Sequence, residues 1–140
     1  MEFLTCSNAR PAANIAKELA KTFLPVAARP AAMGAAEKLS SEGISARVIN
    51  IHTIKPIDRE IITKAAKETG VIVTAEEHSV IGGLGSAVAE AVTETAPVPV
   101  IKVGVNDVFG HSGPAVDLLK EFGLSADNIA AKAKEAVKLK

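Results

Sequence analysis

The sequence is short of the residues that usually give a small domain its bulk and its staples. Among 140 residues there are one cysteine, four phenylalanines, no tryptophan and no tyrosine. The lone cysteine, Cys6, excludes an internal disulfide and any cysteine-based metal cage. It reads as a spectator thiol. With so few aromatics, the core must be built from alanine, valine, isoleucine and leucine. Net charge is also missing: sixteen basic residues balance sixteen acidic ones. That balance removes the electrostatic reason to bind nucleic acid or an anionic membrane. No segment approaches the roughly 18 uninterrupted apolar residues of a membrane span. Met1-Glu2-Phe3-Leu4 lacks the basic opening of an export signal. A soluble protein in a reducing cytoplasm is expected.

What is present is an alternation of helix and strand patterns from about residue 31, the mark of a layered α/β domain. Residues 31–41 read as a helix closed by Gly43, and residues 45–51 as a strand. Pro56-Ile57-Asp58 opens a second helix that ends before Gly70. Residues 71–75 form a β-branched strand, and Leu84, Val88 and Val92 recur at helical spacing over about 84–95. Residues 97–105 give a further strand, its prolines at the start where a missing N–H matters least. Residues 106–113 read as a loop. Pro114 starts a short helix closed by Gly123, and Ser125 caps a terminal helix with Ile129, Ala133, Ala136 and Val137 inward. Residues 1–30 are atypical: a helix is expected over about 11–21, a short strand at 22–24, and a loop over 26–29 between Pro25 and Pro30.

The densest chemistry lies between the strand at 71–75 and the helix at 84, where Glu76, Glu77 and His78 precede Gly82, Gly83 and Gly85. Carboxylates and an imidazole at a strand's C-terminal end occupy the place where α/β proteins hold function. The competing reading is a strand end that hydrogen-bonds neighbouring backbone and a partner domain. If the strand runs on through them, Glu76 and Glu77 project to opposite sides. Gly83-Leu84-Gly85-Ser86-Ala87-Val88 approaches a dinucleotide fingerprint but has Val88 where the last small residue belongs, and the acids beside it oppose a pyrophosphate. His52, His78 and His111 have no second histidine at i+3 or i+4, so no local metal motif forms. Lys55 reads as a solvated lysine.

Residues 43–58, Val73-Thr74-Ala75-Glu76-Glu77-His78, Gly82-Gly83-Leu84-Gly85-Ser86-Ala87-Val88 and Val103-Gly104-Val105-Asn106-Asp107-Val108-Phe109-Gly110, in this order, resemble the C-terminal domain of transketolase. The likeness covers about residues 31–139 and is greatest to the C-terminal chain of split bacterial and archaeal transketolases. His52-Thr53-Ile54-Lys55-Pro56 and Glu76-Glu77-His78 favour transketolase over deoxyxylulose-phosphate synthase or the 2-oxo acid dehydrogenase components. The resemblance implies a three-layer α/β/α sandwich on a mixed, mostly parallel five-stranded sheet. Departures are Val26, where a glycine is expected, His111, where an acid is common, and the alanine-rich residues 8–21.

The resemblance also implies a parent enzyme that moves a ketol unit between sugar phosphates in the pentose phosphate pathway. Thiamine diphosphate and a divalent metal would sit on other domains or a partner chain, and no cofactor, metal or catalytic residue is expected here. The expected role is architectural, in a homodimer, with an apolar patch or self-association in the isolated chain. The candidate interface or strand-end loop comprises Glu76, Glu77, His78, Gly82, Gly83, Gly85, Asn106, Asp107 and His111. Alternatives are an independent ligand-binding or regulatory module and a degenerate reading frame.

Overall fold

The computed structural model describes residues 2–7 and 28–140. Nine elements follow in order: β1 (Glu2–Ser7), α1 (Ala28–Ser41), β2 (Ser45–Asn50), α2 (Arg59–Thr69), β3 (Ile72–Ser79), α3 (Leu84–Thr95), β4 (Val100–Val105), α4 (Ala115–Glu121) and α5 (Ala126–Val137). The helix and strand expected at 11–21 and 22–24 lie outside the described residues.

Period-two alternation along β3 splits the core into two apolar clusters. Val73 and Ala75 face α1 and α5, joining Ala32, Leu39, Ile129 and Ala133. Ile72 faces α2 and α3, joining Ile62, Leu84 and Val88. Alanines at the contact positions let helix and sheet approach closely. The result is the expected three-layer sandwich, with four strands among the described residues rather than five.

The sheet order is β2-β1-β3-β4. β3 and β4 pair in parallel, while β1 is antiparallel to both neighbours, Leu4 lying opposite Val48 on one side and Val73 on the other. Three strands therefore share one direction and β1 alone is reversed. Its antiparallel ladders put Ser7 opposite Ser45, at the end of the sheet where α1 finishes.

Several boundaries differ from those read in the sequence: β4 begins at Val100 rather than at residue 97, because Pro97 and Pro99 lack the N–H a ladder needs, and Pro114 caps α4 instead of lying inside it. α1 starts at Ala28 and takes in Pro30 rather than following it. A proline in the first turn costs nothing, because that turn's N–H groups have no intrahelical acceptor. Residues 28 and 29 are thus helix, not loop. Pro56 precedes α2 instead of opening it: the Lys55–Pro56 peptide is cis, Ile54 bridges Ile57, and Asp58 is the cap, accepting from the Ile61 N–H at 3.1 Å. β3 runs on to Ser79, so Glu76, Glu77 and His78 belong to a strand, not a turn.

Candidate functional site: the C-terminal ends of β3 and β4

The extension of β3 depends on its neighbour. The ladder to β4 shifts register between Ala75 and Ser79, and resumes with Ser79 opposite Val105. Gly104 lies under that irregularity. A Cβ there would stand 2.8 Å from the His78 carbonyl and 2.9 Å from the Glu76 carbonyl, so only glycine admits the bulged strand.

Continuing β3 sends its two adjacent carboxylates to opposite faces, and each meets the start of a helix. Glu76 is fully buried on the α3 side. Its Oε2 accepts from the Leu84 N–H at 2.7 Å and its Oε1 from the Gly85 N–H at 2.9 Å. Two of the orphan donors of α3 are satisfied by one side chain, in the field of the helix dipole. Gly83 makes this possible, since a Cβ there would lie 2.0 Å from Glu76 Oε2. On the other face, Glu77 Oε1 accepts from the Ala28 N–H, the first of α1, at 2.7 Å.

The turn between β3 and α3 has a second brace that the sequence does not advertise. Lys102 reaches from β4 to donate to the Ser86 hydroxyl at 3.2 Å and the Val80 carbonyl at 3.4 Å. Ser86 Oγ in turn accepts from the Gly82 N–H at 3.0 Å. These partners lie 16 to 22 residues from Lys102 in sequence, so no local pattern announces them.

The arrangement decides against a phosphate cradle in the glycine turn. The N–H groups that would face an anion already face Glu76. A cleft of about 430 Å³ lies beside it, between Gly104 and Asn106 on one side and Glu121, Asn128 and Lys132 on the other. Its polar groups are likewise turned to neighbours: Asn128 Nδ2 donates to the Gly123 carbonyl at 2.8 Å, and Lys132 Nζ to Glu135 at 2.7 Å.

The other expected residues are not gathered into one site. His78 is exposed, its Nδ1 3.1 Å from the Ser79 carbonyl. His52 lies beyond β2, near Asn50. His111 pairs with Glu121 at 3.0 Å and leans on the Phe122 ring, centroids 6.0 Å apart. Among the described residues no group of three or more His, Cys, Asp or Glu could hold a metal ion. Asn106, Asp107 and His111 are exposed on the segment after β4. Glu76, Gly83 and Gly85 are buried, which removes them as contact residues for a partner. Sequence reasoning missed the most exposed apolar groups nearby: Ile81, Val108, Phe109 and Val116.

The family profile described as "Transketolase, C-terminal domain" matches residues 27–129. The chain belongs to the transketolase C-terminal domain family. Among relatives, the 6-deoxy-6-sulfo-D-fructose transketolase subunit SqwH of Clostridium sp. (strain MSTE9) is 50% identical over 109 residues, 78% of this chain and 34% of that protein. A putative transketolase C-terminal section of Methanocaldococcus jannaschii is 46% identical over 110 residues, with the same two shares. The 1-deoxy-D-xylulose-5-phosphate synthase of Heliobacterium modesticaldum is 43% identical over 102 residues, 72% of this chain and 16% of that enzyme. A solved structure titled "Split gene transketolase, inactive beta4 tetramer" superposes with a TM-score of 0.75 at 52% identity, covering 81% of this chain and 37% of the other.

This transketolase C-terminal domain therefore spans about a third of the length of its split relatives. The thiamine diphosphate and metal that the family implies do not fit the residues of the described domain. The N-terminus of α3 is filled by Glu76, and the acids and histidines are dispersed.

Proposed function

We propose that this chain serves as the architectural C-terminal domain of a transketolase-type enzyme whose cofactor is held by other domains or by a partner chain. The observation that carries the reading is Glu76. A buried carboxylate spent on the α3 amides makes the glycine turn self-sufficient, so the end of the domain that usually serves ligands is closed to phosphate. The enzyme served is a ketol transferase acting on sugar phosphates, of the pentose phosphate type, cytoplasmic and assembled around a two-fold. Its choice of sugar is made by the cofactor-bearing part. Residues 28–140 form the working unit together with β1, which lies between β2 and β3 in the sheet, and His78, Gly82, Asn106, Asp107 and His111 belong to the surface offered to the rest of the enzyme.

Purified chain incubated with xylulose phosphate, an aldose phosphate, thiamine diphosphate and magnesium should transfer no ketol group. Calorimetry with each small molecule should be silent. Ketol transfer by the chain alone, or micromolar binding of thiamine diphosphate to it, would overturn the proposal.

A further inference from the structure

We propose that the slot between β2 and β3 is a strand-accepting site, and that besides the chain's own β1 it takes β1 of a second copy, so that two chains pair by trading residues 2–7. Nothing in this depends on which enzyme the domain serves.

β2 and β3 run in the same direction, and β1 enters between them reversed. It meets Ser45–Asn50 of β2 on one side and Ile72–Ala75 of β3 on the other. Without it, each neighbour would present a bare row of backbone donors and acceptors across a gap one strand wide. Main-chain hydrogen bonds on both sides then supply affinity and alternate side chains supply register, as when a peptide adds to a sheet edge. Leu4 sets the register here. It is buried with Leu39 and Val73 in the cluster under α1 and α5, while Thr5, opposite Ile72, turns to the other face. The slot requires a strand of this sequence but does not specify which copy provides it.

The covalent tie does not decide ownership either. β1 ends with Ser7 opposite Ser45, where β2 begins, whereas α1 starts at the other end of the sheet, its Ala28 N–H on Glu77. Those ends are one strand apart, about 20 Å for six residues. Between Ser7 and Ala28 the sequence has twenty residues, which fully extended reach at most about 70 Å. A domain of this length has a radius of gyration of about 14 Å, so a touching copy holds its slot inside that span. A short connection would forbid exchange, and this one does not.

The β1–β3 seam also has a weakness that favours opening. Thr5 and Thr74 are fully buried, and theirs are the only buried side-chain polar atoms without a hydrogen-bond partner among the described residues. Both stand on one face of the seam, Thr5 opposite Ile72 and Thr74 opposite Phe3. An unpaired buried hydroxyl subtracts from whatever the surrounding contacts contribute. Lifting β1 out returns both hydroxyls to water, which lowers the cost of vacating the slot.

The single cysteine supplies the test. Cys6 lies opposite Ala46 in the β1–β2 ladder, and opposed residues of an antiparallel pair have Cα atoms about 4.5–5.5 Å apart, within disulfide range. The parent chain is mixed with a Cys6→Ser, Ala46→Cys chain, and the two are unfolded, refolded together over a concentration series and mildly oxidised. Neither chain alone holds both thiols, so a link between Cys6 and position 46, identified by peptide mass, reports β1 of one copy in the slot of the other. A Cys6→Ser, Ser41→Cys chain, its new thiol on the exposed end of α1, measures links made by collision. The link to position 46 should exceed that control by about tenfold or more and rise with chain concentration, since a flexible tether holds a chain's own strand at an effective concentration in the millimolar range. A yield no higher than the collision control overturns the proposal. Should Ala46→Cys not fold, the unaltered chain is refolded as a mixture of isotope-labelled and unlabelled copies, and isotope-filtered NMR reads contacts between Leu4 of one copy and Val48 of another. Such contacts support exchange, and their absence at every concentration from a folded chain overturns it.

Discussion

Two strand-to-helix connections leave the same end of the sheet and are built to opposite rules. The β3–α3 turn is closed on itself: Glu76 caps α3 from within the sheet, Lys102 and Ser86 brace the turn, and Gly83 and Gly85 are packed against Glu76 and Lys102. The β4–α4 arm is open. α4 has no side-chain cap and no buried residue, and the arm before it points its apolar groups at solvent. The contrast separates stability from assembly within one edge. In the closed turn, polar groups satisfy the backbone and leave nothing for a ligand. In the open arm, little is satisfied internally, so removing a side chain should cost the fold nothing.

The largest effect is expected at the closed turn. Glu76→Ala removes the acceptor for two buried helix amides and leaves a cavity, which should lower unfolding free energy by about 3 kcal/mol or more. Glu76→Gln keeps one carbonyl oxygen and should cost clearly less. Urea melts with an unchanged slope report both. If Glu76→Ala were as stable as the parent, the cap would be decorative. Gly83→Ala comes next. Its methyl group would collide with Glu76 Oε2, and the strain should amount to about 2 kcal/mol. The same melts measure it, and insensitivity there would mean that the turn is looser than its geometry.

These two connections also show which features local sequence can carry. α3 and α5 were legible because apolar spacing and the Ser125 cap are local signals, and the Ser125 hydroxyl does accept from Asn128 at 3.3 Å. The identity of Glu76 as a cap was half legible: period two predicts that adjacent acids part company, but not that the strand continues through them. That continuation depends on Gly104, across the ladder. β1 was not legible. Phe3-Leu4-Thr5-Cys6-Ser7 is too short and its alternation too weak to announce a strand, and its place in the middle of the sheet is fixed by partners 38 or more residues away. The start of α1 was hidden by Pro30, which punctuates most sequences but is harmless in a first turn. Phe109 was passed over because glycines and polar residues around it spell a loop. Composition identifies a loop without saying what the loop presents.

Hydrogen exchange offers a residue-level form of the comparison. The Leu84 and Gly85 amides, bonded to a buried carboxylate, should exchange only with large-scale opening of the domain. Amides of residues 107–113 should exchange close to the rate of an unstructured peptide. Equal protection of the two segments would erase the distinction between them.

The smallest effects belong to the arm. Phe109→Ser should change unfolding free energy by no more than about 0.5 kcal/mol, because the ring touches solvent and loses nothing on truncation. His111→Ala should do little more. Its ion pair with Glu121 joins two half-exposed side chains, and such pairs are worth about 0 to 1 kcal/mol before salt screens them. The tilted contact with Phe122 adds a small apolar term. Both variants should therefore melt with the parent protein at moderate salt, while the arm's orientation in His111→Ala loosens. Thermal melts check the first statement, and a change in the aromatic NMR shifts of Phe122, whose ring His111 contacts, checks the second. A loss of 2 kcal/mol in either variant would mean that the arm is part of the domain's own stability, and the division between a closed and an open connection would fail at that point.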